Sequence, residues 1–175
     1  ERTDPPTLST NIAHRGRTAD AASIAASLDG AAAEFEVEAG VDTPVRAAED
    51  IAADRVVALF QGASESGPRA LGHRSLLADA RIEGNWRRVN ELKKREWWRP
   101  FAPACLEERL RDHFAGGPAA SPHMVFNYRV RGEGLPAVTH VDGSARVQTV
   151  GREDGMFRDL IEAFDRRTGT PVVLN

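Results

Sequence analysis

Residues 138–150 read Val-Thr-His-Val-Asp-Gly-Ser-Ala-Arg-Val-Gln-Thr-Val. Two short runs rich in β-branched residues, 138–141 and 145–150, flank Asp142-Gly143. Asp-Gly between alternating apolar residues is a strong short-range signal for a hairpin. A hairpin means antiparallel pairing, which a doubly wound parallel sheet does not use. Downstream, Phe157, Leu160, Ile161 and Phe164 repeat at helical spacing, and Gly169 fits the C-terminal cap. Residues 170–175 open a last strand, with Pro171 near its start, where a strand tolerates it.

Upstream, 124–130 alternates as a strand, Gly116-Gly117-Pro118 breaks the chain, and 106–114 reads as a short helix. Residues 84–96 read as a helix with Trp86, Val89 and the stem of Lys93 on one side. A loop spans 62–74, punctuated by Gly62, Gly67, Pro68 and Gly72, and follows a buried strand at 55–61. Thr43-Pro44 suggests an N-cap and a first helical proline for a helix to Ala53. Residues 34–38 suit a half-buried strand with Phe35 and Val37 inward, and 19–28 a short helix with Ile24 and Leu28 on one face. Residues 1–17 have no period and read as a lead-in or linker, leaving 18–175 as one domain. Helices and strands are intermixed without a strict βα repeat, so the expected class is α/β of the α+β kind. With Glu1 in place of Met and a strand still running at Asn175, the sequence reads as a piece of a longer protein.

Composition narrows the function classes. The chain has 175 residues, 41% hydrophobic and 28% charged, which suits a soluble globular domain. Its longest apolar run, Val56 to Phe60, is far too short to span a bilayer, and no signal peptide is visible. A cytoplasmic location is compatible with a single cysteine, Cys105, which cannot form an internal disulfide or a cysteine-based zinc site. A net charge of −3 argues against a generic nucleic-acid or membrane-surface binder. The charge is unevenly spread. Residues 1–54 carry −7, residues 55–175 carry +4, and 69–99 hold nine bases against four acids.

Three segments could carry chemistry. Gly67-Pro68-Arg69-Ala70-Leu71-Gly72-His73-Arg74-Ser75 combines glycines, which allow close backbone approach, with two arginines, whose planar donors suit phosphate or carboxylate. An ordinary turn with solvated arginines is the plainer reading, and Gly-Lys-Ser/Thr of a Walker loop is absent. Lys93 to Pro103 holds both lysines of the chain; the helix dipole alone would favour a basic last turn there, and Trp97 and Trp98 read first as packing. In 139–149, His140 and Asp142 share a strand face, as do Arg146 and Gln148. A metal site would need more ligands than these, and His113 and His123 have no helical partner spacing. A Ser75/His140/Asp142 triad lacks a nucleophile-elbow pattern. The residues alone point to a small polyanion site built from several loops, with phosphate or nucleotide as the default ligand.

Gly62 to Arg81 resembles the signature of the O-carbamoyltransferases, the family of nodulation-factor and antibiotic carbamoyltransferases. Val89–Glu96 with Arg99–Pro103, His140–Thr149 and Gly169–Asn175 are similar to it in the same order, so the resemblance covers roughly residues 45–175. It is to the C-terminal, YrdC-like domain of that family, and it implies a twisted mixed sheet with flanking helices, cut short at its C-terminus. It implies that this domain binds carbamoyl phosphate and ATP, with Mg²⁺, and forms carbamoyl-adenylate. An actin-like N-terminal domain would then pass the carbamoyl group to a hydroxyl of a small-molecule acceptor. On this resemblance Arg69 and Lys94 are the catalytic candidates, and Arg69, Lys94, Arg99 and Arg146 hold the phosphates. Asn175 opens the family's Asn-Thr-Ser-Phe-Asn segment and faces the site; Arg74, Ser75, Arg95 and His140 rank second. Glu65 and Glu96 would orient arginines, and the alignment favours Lys94 over Lys93. Ala80 stands where the family usually has Pro. The competing readings are an RNA-binding YrdC-like module, against which the net charge weighs, and a non-catalytic docking domain for the actin-like partner.

Overall fold

Val172, Val173 and Leu174 all lack exposed surface, so the strand they form must be covered on both faces. Side chains alternate across a strand, and Val172 and Leu174 enter one apolar cluster while Val173 enters another. That strand is the middle of the molecule. A computed structural model describes residues 13–175; residues 1–12 of the expected lead-in lie outside them.

In chain order the elements are α1 (Ala21–Ala31), α2 (Thr43–Ala52), β1 (Val57–Phe60), β2 (Arg74–Asp79), α3 (Gly84–Leu92), β3 (Pro103–Leu106), α4 (Leu110–His113), β4 (Phe114–Ala115), β5 (Asn127–Val130), β6 (Ser144–Arg146), β7 (Gln148–Val150), α5 (Gly155–Thr168) and β8 (Val172–Leu174). Single 3₁₀ turns lie at Glu107–Arg109, Pro136–Val138 and Arg152–Asp154. Five strands form one mixed sheet in the order β1-β2-β8-β3-β7, in which only β3 and β7 run parallel. β4, β5 and β6 form a small antiparallel sheet. The class is α+β, as the sequence predicts.

Helices α2 and α5 cover one face of the large sheet. Ala47, Ala48 and Ile51 of α2 meet Phe157, Leu160, Ile161 and Phe164 of α5, with Leu77, Ala104, Leu106 and Val173 beneath. The other face packs against α3, α4 and the small sheet through Val89, Leu110, Phe114, Tyr128 and Ala145. Each large apolar side chain buried in these layers contributes about 1.5–3 kcal/mol. Gly169, at φ +72°, ends α5 as expected.

Several sequence expectations change. The hairpin at 138–150 does not form. Pro136–Val138 is a 3₁₀ turn, and Asp142-Gly143 turns the chain into β6, which pairs with β5. One residue later, at Val147, the chain leaves the small sheet, and β7 runs parallel to β3 in the large one. The turn forms, but its first arm is not a strand, and its second arm is divided between β6 and β7, each paired elsewhere in the chain. Residues 34–38 form no strand and are exposed. Helix α1 buries no residue; Ile24 and Leu28 are exposed. The cap of α2 is Asp42, which accepts from the Val45 amide, and α3 stops at Leu92 instead of reaching 96. Strands β2 and β3 carry no hydrophobic alternation to announce them: β3 is buried on both faces, and β2 places the polar Ser75 and Asp79 on its buried face.

Candidate functional site

The connection between β1 and β2 is shaped by one carboxylate. Glu65 Oε1 accepts the amides of Leu71 (2.9 Å), His73 (2.8 Å) and Arg74 (3.2 Å). Burial alone would raise its proton affinity, but the three amides outweigh it, and its carboxyl lies below the usual range. Glu65 therefore orients backbone, not an arginine. Gly72, at φ +101°, packs against the ring of Phe157, where no side chain fits. Arg74 gives its guanidinium to the carbonyls of Gln61, Gly62 and His73 and lies 3.6 Å over the Phe60 ring. Ser75 Oγ accepts the Gly72 amide at 2.9 Å. These two residues build the loop. Ser75 and His140 have no hydrogen bond to each other, and His140 Nδ1 meets Ser144 Oγ at 3.2 Å.

Arg69 rises from the loop thus held. It lies close enough to Arg146, at the end of β6, that burial and the charge of Arg69 together lower the proton affinity of Arg146. The Nε atoms of Arg69 and Arg146 are buried and have no hydrogen-bond partner among the described residues. Asn175, just after β8, reaches the same wall. Its backbone amide donates to Ala102 (2.9 Å), and its side-chain Nδ2 donates to Ala70 (3.2 Å) and to Gln148 Oε1 (2.9 Å). Gln148, almost fully buried, returns a bond from Nε2 to the Leu71 carbonyl at 2.9 Å. Three segments distant in sequence therefore converge beside two unpaired guanidinium donors.

A second basic group lies at the end of α3. Helix α3 ends in a Schellman arrangement: the Arg95 amide donates to Asn90 (3.2 Å), and the Lys94 amide to Glu91 (2.9 Å). Lys94 occupies the left-handed position at φ +49°, where glycine is preferred. Buried Asn90 then pins the returning chain, donating to the carbonyls of Trp97 (3.1 Å) and Arg99 (2.9 Å) and accepting from Arg95 Nε. Arg95 lies 4.3 Å over the Phe101 ring, its proton affinity lowered by burial and by Arg99. Burial and Arg95 lower that of Lys93. Arg99 is exposed and pairs with Glu96 at 3.0 Å, and Lys94 is exposed at the turn. His140 is pushed down by burial first, then by Arg146 against the opposing pull of Asp142.

A cleft of about 460 Å³ is lined by Trp86, Trp98, Phe101, Val138 and His140, with Glu83 and Asp142 also on its wall; Phe101 lies under Arg95, and His140 lies near Arg146. A second cleft of about 570 Å³ shares no lining residue with it, and the Arg158 there is paired with Glu108. Among the described residues no three His, Cys, Asp or Glu side chains are placed to hold a metal, and no helix is long and apolar enough to cross a membrane. Sequence reasoning does not single out Asn90, and it gives Gln148 only a strand face shared with Arg146.

Comparison with known proteins adds a family. Residues 48–175 match the family described as carbamoyltransferase C-terminus. The chain is 45% identical over 148 residues to nodulation protein NolO of Bradyrhizobium diazoefficiens, covering 81% of this chain and 27% of that protein. It is 48% identical over 148 residues to nodulation protein NolNO of Sinorhizobium fredii, covering 81% of this chain and 22% of the relative. It is 48% identical over 127 residues to the 3'-hydroxymethylcephem-O-carbamoyltransferase of Streptomyces clavuligerus, covering 71% and 24%. The chain thus spans about a quarter of the length of these relatives.

Proposed function

The chain belongs to the carbamoyltransferase C-terminus family, and from that premise we propose that it is the part of an O-carbamoyltransferase that binds carbamoyl phosphate and ATP and joins them as carbamoyl-adenylate. The observation that carries this reading is the pair of buried, unpartnered Nε donors of Arg69 and Arg146, on segments brought together by the fold. Two like charges held close and partly desolvated are unfavourable in isolation and become favourable when an anion lies between them. Carbamoyl phosphate and ATP are both anions, and bringing them together is the first task of such a site.

The reaction consumes water and releases phosphate from one substrate and pyrophosphate from the other, while a carbamoyl oxygen bonds to the α-phosphorus. Fixed positive charge where these groups separate lowers the barrier without a side-chain nucleophile. Arg69, Arg146, Lys94 and Arg99 are assigned to that charge, with Arg95 and Lys93 extending it. Mg²⁺ would enter on the ATP phosphates. The aromatic cleft beside Phe101 and His140 has room for the remainder of a nucleotide. A hydroxyl of a small-molecule acceptor, as in the name of the cephem relative, would receive the carbamoyl group in a part of the longer protein outside this chain. A cytoplasmic setting, where ATP is available, belongs to the same reading.

Calorimetric titration of this chain with pyrophosphate and with a non-hydrolysable ATP analogue tests the reading. Saturable binding that weakens at least tenfold in Arg69→Ala is the expected result. Absence of binding in the wild type, or equal binding by the variant, would overturn it.

A further inference from the structure

Phosphate needs donors, yet the wall beside Arg69 and Arg146 also presents an acceptor. Asn175 Oδ1 is buried and has no hydrogen-bond partner among the described residues. Its orientation is not free. Gln148 donates through Nε2 to the Leu71 carbonyl, so its Oε1 must face Asn175. Asn175 therefore presents Nδ2 to Gln148 Oε1 and to the Ala70 carbonyl. Flipping the amide would set Oδ1 against two acceptors. Gln148 thus acts as a lock that turns the Asn175 oxygen away from Ala70 and Gln148. A buried acceptor left unpaired is unfavourable. A ligand that supplies an N–H or O–H removes that cost.

The complementary ligand is an oxyanion with a hydrogen-bond donor close to its charged oxygens. Fully ionised phosphate and pyrophosphate offer acceptors only and leave Oδ1 unpaired. An amide-bearing phosphate offers both. Resting on the carbamoyl phosphate reading above, we propose that Asn175 Oδ1 accepts from the carbamoyl NH₂. It is then a specificity-determining residue that separates carbamoyl phosphate from acyl phosphates lacking an N–H. Gln148 is the positioning residue that makes Asn175 an acceptor there. The discrimination arises on the binding side, because the analogue with CH₃ in place of NH₂ both loses a bond and keeps the Asn175 oxygen desolvated.

Two stable ligands of one shape test this: phosphonoacetamide, and acetonylphosphonate, in which CH₃ replaces NH₂. Titrated into the wild-type chain beside pyrophosphate, phosphonoacetamide is expected to bind about tenfold more tightly than acetonylphosphonate. In Asn175→Leu, of similar volume but with no acceptor, the ratio of the two affinities is expected to fall to about one, whatever their absolute values. Equal affinities in the wild type, or a preference that survives in Asn175→Leu, would overturn the inference. The wild-type comparison decides it even if the variant does not fold. Pyrophosphate binding without amide preference sinks this inference alone; no binding of any of the three sinks the carbamoyl phosphate reading and this inference with it.

Discussion

Lys94 holds a conformation that its side chain disfavours. At φ +49° it fills the left-handed position closing α3, where a β-carbon costs about 1 kcal/mol relative to glycine. Replacing it with glycine is expected to raise stability by about that amount. The same Lys94→Gly change is expected to weaken pyrophosphate binding, because it removes an ammonium assigned to the phosphates. A thermal melt and a titration on one preparation read both effects. A variant that is more stable and binds as well as wild type would remove Lys94 from the site and leave Lys93, the lysine beside Arg95, as the ammonium there. Sequence alone made these adjacent lysines visible through their rarity in an arginine-rich chain. It could not divide their roles, since that depends on where α3 stops. The stop is set by Asn90, whose side chain bonds to residues seven and nine positions later. The roles of Arg74 and Ser75 were equally hidden: their residue types suit phosphate, but nearby backbone groups take their hydrogen bonds.

At the scale of elements, the loop before β2 depends on Gly72. At φ +101° a β-carbon there is strained, and it would also collide with the Phe157 ring. Gly72→Ala is expected to cost about 3 kcal/mol. Denaturant unfolding checks the value, and a loss below 1 kcal/mol would mean that α5 can shift to make room. Helices α2 and α5 were legible because apolar residues at helical spacing met a cap signal at one end. The last strand was legible from its β-branched run. Strands β2 and β3 were not: burial on both faces removes the alternation from β3, and polar Ser75 and Asp79 on the buried face obscure it in β2. The Asp142-Gly143 turn was read correctly and its partners were not, because turn chemistry is local and β7 pairs with a strand some forty residues earlier. Residues 34–38 show the converse: a local strand pattern that pairs with no other strand stays exposed coil.

Across the whole molecule, three histidines titrate in one direction. His14, His113 and His140 all have proton affinities below the ordinary 6.5, in each case chiefly through burial. A depressed histidine favours the fold while neutral. Its contribution is complete above the unfolded value and is lost as pH falls through the folded one. Glu65 and Glu108, lowered by their hydrogen bonds, add a further loss at more acidic pH. Asp154, raised by burial, works in the opposite sense. The melting temperature is therefore expected to fall from pH 7 to pH 5 and again below the carboxylate range; a flat profile between pH 7 and pH 5 would show that these histidines remain solvated. Chain order carries a different consequence, for biosynthesis. β8 lies between β2 and β3, yet both of those strands are synthesised long before it. A nascent chain that stops short of Val172 has two open edges where the middle of its sheet belongs, and it also lacks Asn175, the residue that joins Ala70, Ala102 and Gln148. Completion of the sheet therefore waits for the last strand, and the bonds that Asn175 makes to three separate segments form only with it.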